Sequence, residues 1–161
     1  MTQEGTPLNK VLRSLFCGAA LTGALTCASL AADFTPCADT LHSLGLFEGT
    51  GSGYALDRAP TRAEAAVMLV RLLGQEDAAR ELTYTAPFTD LEGWEAPYVQ
   101  YLYDNKLTTG ATATTFEPKA KCSAQMYTTF LLRSLGYSDA EGGDFKYSDA
   151  LGYAENVVGL I

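Results

Sequence analysis

The sequence predicts a mostly α-helical fold of tandem helix–loop–helix units, and three observations carry that expectation. Tyr54–Gly74 aligns on Phe116–Gly136 without a gap, pairing Tyr54 with Phe116, Leu69 with Leu131, Arg71 with Arg133 and Gly74 with Gly136. A second alignment places Phe88, Asp90, Trp94, Val99 and Leu102 on Tyr147, Asp149, Tyr153, Val158 and Ile161. Thr61-Arg62-Ala63-Glu64 opens an apolar run with the Thr-x-x-Glu form of a capping box. The repeated unit is roughly sixty residues long, and copies of this size bury enough apolar area only by packing on one another. The expected units are 32–80, 86–137 and 145–161, the last stopping inside its first helix.

The first segment, residues 1–31, reads as a signal peptide. Lys10 and Arg13 precede an apolar stretch, SLFCGAALTGAL, and small residues follow up to a cleavage site at Ser29-Leu30-Ala31. An apolar core of about 12 residues falls short of the ~20 that span a bilayer, so no membrane association is expected after cleavage. Cys37 and Cys122 remain in an exported chain, either as a disulfide or as two small buried thiols.

The helices follow in order. Cys37, Leu41 and Leu44 form a stripe that ends at Gly45, and GTGSG punctuates the loop behind it. Thr61 caps a helix whose core face is Ala65, Met68, Leu69, Leu72 and Leu73, with Gly74 as its C-terminal cap. Residues 75–86 read as a linker with a helical start. Trp94, Tyr98, Tyr101, Leu102 and Asn105 follow helical spacing, with Pro97 in the first turn, where a missing N–H is harmless. Ser123 caps a further helix, with Met126 in place of the capping-box Glu and a core face of Tyr127, Phe130, Leu131 and Leu135. The polar stretch 138–144 reads as a flexible linker. Tyr153, Val157, Leu160 and Ile161 form the last stripe.

Composition narrows the function classes. The hydrophobic fraction of 47% fits a folded chain rather than a disordered one. A net charge of −8 and a pI near 4.5 offer no basic surface for nucleic acid. Four cysteines and one histidine, without CxxC or HExxH, leave little for a metal site, and the GTGSG run lacks the Lys-Ser/Thr of a phosphate loop. His42 has no nucleophile at a recognisable spacing and reads as a surface residue. No catalytic residue and no cofactor are expected.

Phe88-Thr-Asp90, Trp94, the Tyr98–Leu102 helix, the loop from Gly110 to Phe116-Glu-Pro118, and above all Thr61-Arg62-Ala63-Glu64 together resemble the S-layer homology family. The resemblance covers essentially the whole chain after the leader. It implies modules that come in threes in a pseudo-threefold helical assembly, here incomplete. It also implies an exported protein held non-covalently at the bacterial cell surface, in the cell wall or S-layer. The implied ligand is a secondary cell-wall polysaccharide, typically bearing a pyruvate ketal, and further repeats or cargo domains beyond residue 161 are implied as partners. Carried over, the anion-binding role falls on Arg62, with Thr61 and Glu64 of the same motif beside it. Asp90, Trp94 and Gly110 are expected to line a groove, and Asp149 and Tyr153 hold the Asp and Trp positions of the third copy.

The chemistry is reasonable. A guanidinium pairs with a carboxylate through two charge-assisted hydrogen bonds, and a helix start adds backbone N–H groups that favour an anion. Other readings stand beside these. Glu64 serves as a capping partner, Asp90 as a helix cap, and Trp94 as a core residue or a sugar platform. The second copy departs from the pattern with Ser123-Ala124-Gln125-Met126, so Ala124 replaces the arginine and only Lys119 or Lys121 is near as a point charge. The alternative function is a secreted helical protein–protein interaction or assembly module without glycan binding. A hydrolase ranks third, because no carboxylate pair sits in a recognisable catalytic context.

Overall fold

The computed structural model describes residues 33–160. The expected leader at 1–31 and the end of the last stripe at Ile161 lie outside the described residues. The architecture is mostly helical, and the helices are α1 (Thr35–Ser43), α2 (Arg62–Leu72), α3 (Glu76–Arg80), α4 (Ala96–Asp104), α5 (Ala124–Ser134) and α6 (Ala150–Tyr153). A tight turn at Tyr147–Asp149 leads into α6, and a wider helical turn at Ala154–Val158 continues it.

The capping box forms as the sequence predicts. Thr61 Oγ1 accepts from the Glu64 N–H at 3.2 Å, and the Glu64 carboxylate accepts from the Thr61 N–H at 2.7 Å. Ser123 caps α5 alone, accepting from the Met126 N–H at 3.1 Å. Pro97 sits in the first turn of α4, and Gly74 ends α2 in the left-handed conformation. Residues 76–80 supply the helical start expected of the first linker.

The packing has one recurring move. The capped helix α2 lies on α4, and the capped helix α5 lies on α6, each resting on the helix that opens the following segment. The first core gathers Leu69, Val70, Phe88, Val99, Leu102, Phe116 and Phe130. A second core gathers Leu132, Leu135, Phe145, Ala150, Ala154 and Val158, and Leu72 and Leu73 pack against both. A short antiparallel bridge between Thr61 and Lys121 joins the two loops ahead of α2 and α5.

Three expectations need correction. The Cys37–Leu41–Leu44 stripe is not buried: α1 buries only Ala38, and Leu44 is 59% exposed. No helix among the described residues covers α1 as α2 covers α4. A Tyr54–Asp39 hydrogen bond at 2.8 Å reaches α1 itself, and a Glu48–Arg71 ion pair at 3.0 Å ties the loop behind it to α2. The last stripe is only partly as expected: Tyr153 and Leu160 pack against the second core, but the fully buried positions are others. Ala150, Ala154 and Val158 face α5, while Val157 is 63% exposed, because small side chains allow the close approach to Leu132 and Leu135. The 138–144 stretch is a cross-tied loop. Asp139 pairs with Arg133 at 2.7 Å, the Asp144 N–H donates to the Ser138 carbonyl at 2.7 Å, and the Ser138 N–H donates to the Asp144 carboxylate at 2.8 Å.

Two carboxylates couple this fold to pH. The Arg58 guanidinium, with help from the Thr61 N–H, holds Glu64 down at about 2 from an ordinary 4.5. Arg71, followed by Arg80 and Tyr98, holds Glu76 at about 2 as well. A carboxyl lowered by folding stabilises the native state above its unfolded pKa and loses that contribution as pH falls through the folded one. Urea midpoints are therefore expected to fall between pH 4.5 and 2. A Glu64→Gln, Glu76→Gln double variant should show a flatter pH profile over the same window.

Candidate functional site

The site grows out of how α2 begins. The first N–H groups of a helix have no partner inside it. Here the Arg62 N–H donates to the Ala120 carbonyl at 2.9 Å and the Ala63 N–H to the Pro118 carbonyl at 3.0 Å. The Cys122 N–H returns a bond to the Pro60 carbonyl at 2.8 Å. The loop ahead of α5 is thus sewn to the start of α2. The expectation that backbone N–H groups at this helix start help hold an anion is overturned, because the protein has already used them.

That seam drives the Arg62 side chain inward, to 5% exposure. Nε donates to the Phe116 carbonyl at 2.7 Å, Nη1 points at the Met126 sulfur at 2.8 Å, and the guanidinium lies over the Phe116 ring, 4.8 Å from its centre. Among the described residues Arg62 makes no ion pair. Burial pushes its pKa down, against the weaker pull of Cys122, Glu117, Tyr147 and Asp90. A buried guanidinium with a thioether where a carboxylate would neutralise it keeps hydrogen-bonding capacity unspent, since sulfur is a weak acceptor. The residue facing it, Met126, stands where the second copy would carry the capping-box Glu.

Arg62 opens onto a cavity of about 350 Å³. Thr108 to Ala111 form one wall, and Met126, Thr129, Phe130 and Arg133 of α5 form another. Glu117, Asp139 and Tyr147 close the rim. Arg133 is not free: it is paired with Asp139 and donates to the Leu107 carbonyl at 3.1 Å. Gly110 is in the cavity wall, in the left-handed region at φ +83°.

The other sequence-predicted residues have different places. Thr61 and Glu64 spend their side chains on the cap, and Glu64 also binds Arg58 at 2.6 Å. Asp90 accepts from the N–H groups of Phe116 at 2.8 Å and Glu117 at 2.7 Å. Burial raises its pKa, but these N–H groups outweigh that and hold it low. It therefore fixes the loop that seats Arg62 and faces a second, shallower cavity of about 390 Å³ with Glu92 and Lys119. Trp94 is 58% exposed, so it is not a core residue, and it lines neither cavity. Asp149 and Tyr153 also lie away from both cavities. Tyr153 stacks on Phe145 at 5.4 Å and meets Tyr137 edge-on at 5.5 Å, inside the second core. Of the eight candidates, Arg62 and Gly110 share the first cavity. Sequence reasoning missed Thr108, Met126, Thr129 and Tyr147 there. The signal for Tyr147 was present, since it aligns with Phe88.

Cys122 is buried, its thiol pushed up to about 11 by burial, and Cys37 is exposed; both are free. His42 is exposed and tilts against Tyr54. Among the described residues no group of His, Cys, Asp and Glu is placed to hold a metal, and no helix is long and apolar enough to cross a membrane.

The S-layer homology domain matches residues 87–123, the stretch from the aromatic-x-Asp entry to the start of α5. The middle cell wall protein of Brevibacillus brevis is 30% identical over 121 residues, covering 73% of this chain and 12% of that protein. The surface layer protein of Brevibacillus choshinensis is 30% identical over 106 residues, covering 64% of this chain and 10% of that one. An endoglucanase of a Bacillus species is 34% identical over 70 residues, covering 42% of this chain and 7% of the enzyme. The chain spans about a tenth of the length of the curated relatives it matches. No solved structure matches at a significant level. From the aromatic-x-Asp entry through the loop it holds to the cap of α5, residues 87–123 of this chain are an S-layer homology domain.

Proposed function

We propose that this chain anchors an exported protein to the bacterial cell wall by binding an anionic secondary cell-wall polysaccharide, with a pyruvate ketal as the acid group, in the cavity around Arg62. The observation that carries the reading is an arginine that is buried, has no ion-pair partner among the described residues, and lines a cavity of about 350 Å³. A ketal carboxylate offers the planar, two-oxygen acceptor that a guanidinium fits. The acidity of the chain as a whole opposes such a polymer at long range, but screening within ~8 Å at physiological salt leaves the local cation to decide. The function is binding without chemistry. In this reading residues 1–31 are the export signal, 32–80 and 86–137 are repeats, and 145–161 is the first helix of a third.

The test is co-sedimentation of the chain with purified wall sacculi that retain their secondary polymer. Arg62→Gln, which keeps a donor but no charge, is expected to weaken capture by at least about tenfold, as loss of a charge-assisted bidentate pair implies. Arg62→Lys should recover only part of it, because a point charge lacks the fork. Far-UV circular dichroism of each variant separates lost binding from lost fold. Full capture by Arg62→Gln would sink the reading.

A second reading, a helical protein–protein interaction module, draws on one observation: Phe34, Leu44 and Leu56 around α1 are all more than 40% exposed. Concentration-dependent self-association in light scattering, indifferent to added wall polymer, would favour it.

A further inference from the structure

Tyr147 is the repeat counterpart of Phe88, yet the fold uses the two rings in opposite ways. Phe88 is 3% exposed in the first core, against Phe116 and Tyr103. Tyr147 is 45% exposed and stands at the rim of the Arg62 cavity. Its position is not loose. Gln125 Nε2 donates to the Tyr147 carbonyl at 2.8 Å, and the Asp149 N–H closes the turn on the Lys146 carbonyl at 2.8 Å. Gln125 belongs to the first turn of α5, the helix that also brings Met126, Thr129 and Arg133 to the cavity. The wall of the cavity and the aromatic rim are therefore set by one rigid element.

The ring has no structural employment. Among the described residues Tyr147 takes part in no aromatic pair, and its side chain makes no hydrogen bond. The other rings at the site are already committed, since Phe116 and Phe130 lie beneath the Arg62 guanidinium at 4.8 and 6.0 Å. The cavity is thus lined by a buried cation, threonines and one exposed aromatic residue. A pyranose has one face of C–H groups and a rim of hydroxyls, which suits that combination.

We propose that Tyr147 is a sugar-stacking residue of this cavity, laying its ring on the C–H face of a pyranose of the wall polymer while Arg62 takes the acid group. The inference rests on the wall-binding reading above. It also makes the segment after residue 145 part of the site, because the repeat containing Arg62 and the one containing Gly110 supply no such face.

Full-length chain and sacculi with the polymer retained test it, with acid-extracted sacculi as the control surface. Tyr147→Phe keeps the ring and should bind as the unaltered chain does. Tyr147→Leu and Tyr147→Ala should weaken capture about five- to tenfold, the scale of one lost aromatic contact. The bond from Gln125 reaches the backbone and survives each change, and circular dichroism checks the fold. Capture by Tyr147→Leu at the unaltered level, with Arg62→Gln still deficient, overturns the stacking role alone. Equal capture of every variant, or none by the unaltered chain, overturns both the stacking role and the wall-binding reading. Weakening by Tyr147→Phe as large as by Tyr147→Leu overturns stacking in favour of a hydroxyl contact.

Discussion

Phe116→Ala is expected to destabilise the chain by about 3–5 kcal/mol, the usual cost of emptying a core phenylalanine site. Phe116 is fully buried, at 0% exposure, and heads the buried side chains by size. Its ring sits 6.0 Å from Phe88 and beneath the Arg62 guanidinium at 4.8 Å. Its backbone is used as well: the N–H donates to Asp90 and the carbonyl accepts from Arg62 Nε. Those two bonds survive in the alanine variant, so the loss reports the ring and not the loop. For a chain of this size the fall in Tm should be about 6–20 °C in a thermal melt. Natural domains hold only about 5–15 kcal/mol, so the variant is left near the edge of folding. Phe116→Leu keeps most of the volume and should lose far less, as size-conserving swaps do. If alanine costs no more than leucine, the ring is not where the two capped helices meet.

How much of this was legible beforehand depends on what kind of fact each feature is. The capping box at Thr61, the Ser123 cap, Pro97 in the first turn of α4 and the stop at Gly74 are local, settled within four residues, and the sequence pattern announces them. The stripes are less secure. A 3.6-residue period tells which side chains share a face, but not whether anything covers that face. The α2 stripe is covered by α4, whereas the α1 stripe is left open. In the last helix, Ala150 and Ala154 were overlooked because small residues do not stand out as core, yet they are what lets the helix approach α5.

The site was legible only at its centre. Arg62 came from a motif, but the residues that give it meaning come from four separated stretches: 108–111, 117, 126–133 and 139–147. No spacing rule joins them, because the seam of carbonyls from Pro118 and Ala120 brings them together. The same seam explains why the helix-start argument failed. Orphan N–H groups attract an anion only if the chain has not bonded them itself. Asp90 both holds the loop and faces the second cavity, while Trp94, conspicuous in sequence, is exposed away from both cavities.

Gly110 ties the fold and the site together, and Gly110→Ala is expected to damage both. The residue sits at φ +83°, and a Cβ built there would stand 2.5 Å from the Thr112 carbonyl oxygen and 2.8 Å from that of Thr115, with the Phe88 ring closer still. Two of these neighbours are backbone, and the Thr115 carbonyl is held by the N–H groups of Ala111 at 2.8 Å and Thr112 at 3.2 Å, so neither can swing aside as a flexible side chain would. The left-handed backbone adds about 1 kcal/mol for a residue with a Cβ, and overpacking adds about 1–3 more, for about 2–4 in all. Gly74 supplies the control. It too is left-handed, at φ +67°, but a Cβ there meets nothing within 4 Å. Gly74→Ala should therefore cost only about 1 kcal/mol and leave wall capture intact. Gly110→Ala has to relieve its clash by moving the loop that forms one wall of the Arg62 cavity, so its capture by sacculi should fall even at temperatures where it remains folded. If the two alanine variants prove equally stable and bind equally, then the loop is not packed as described and the cavity it encloses is not the binding site.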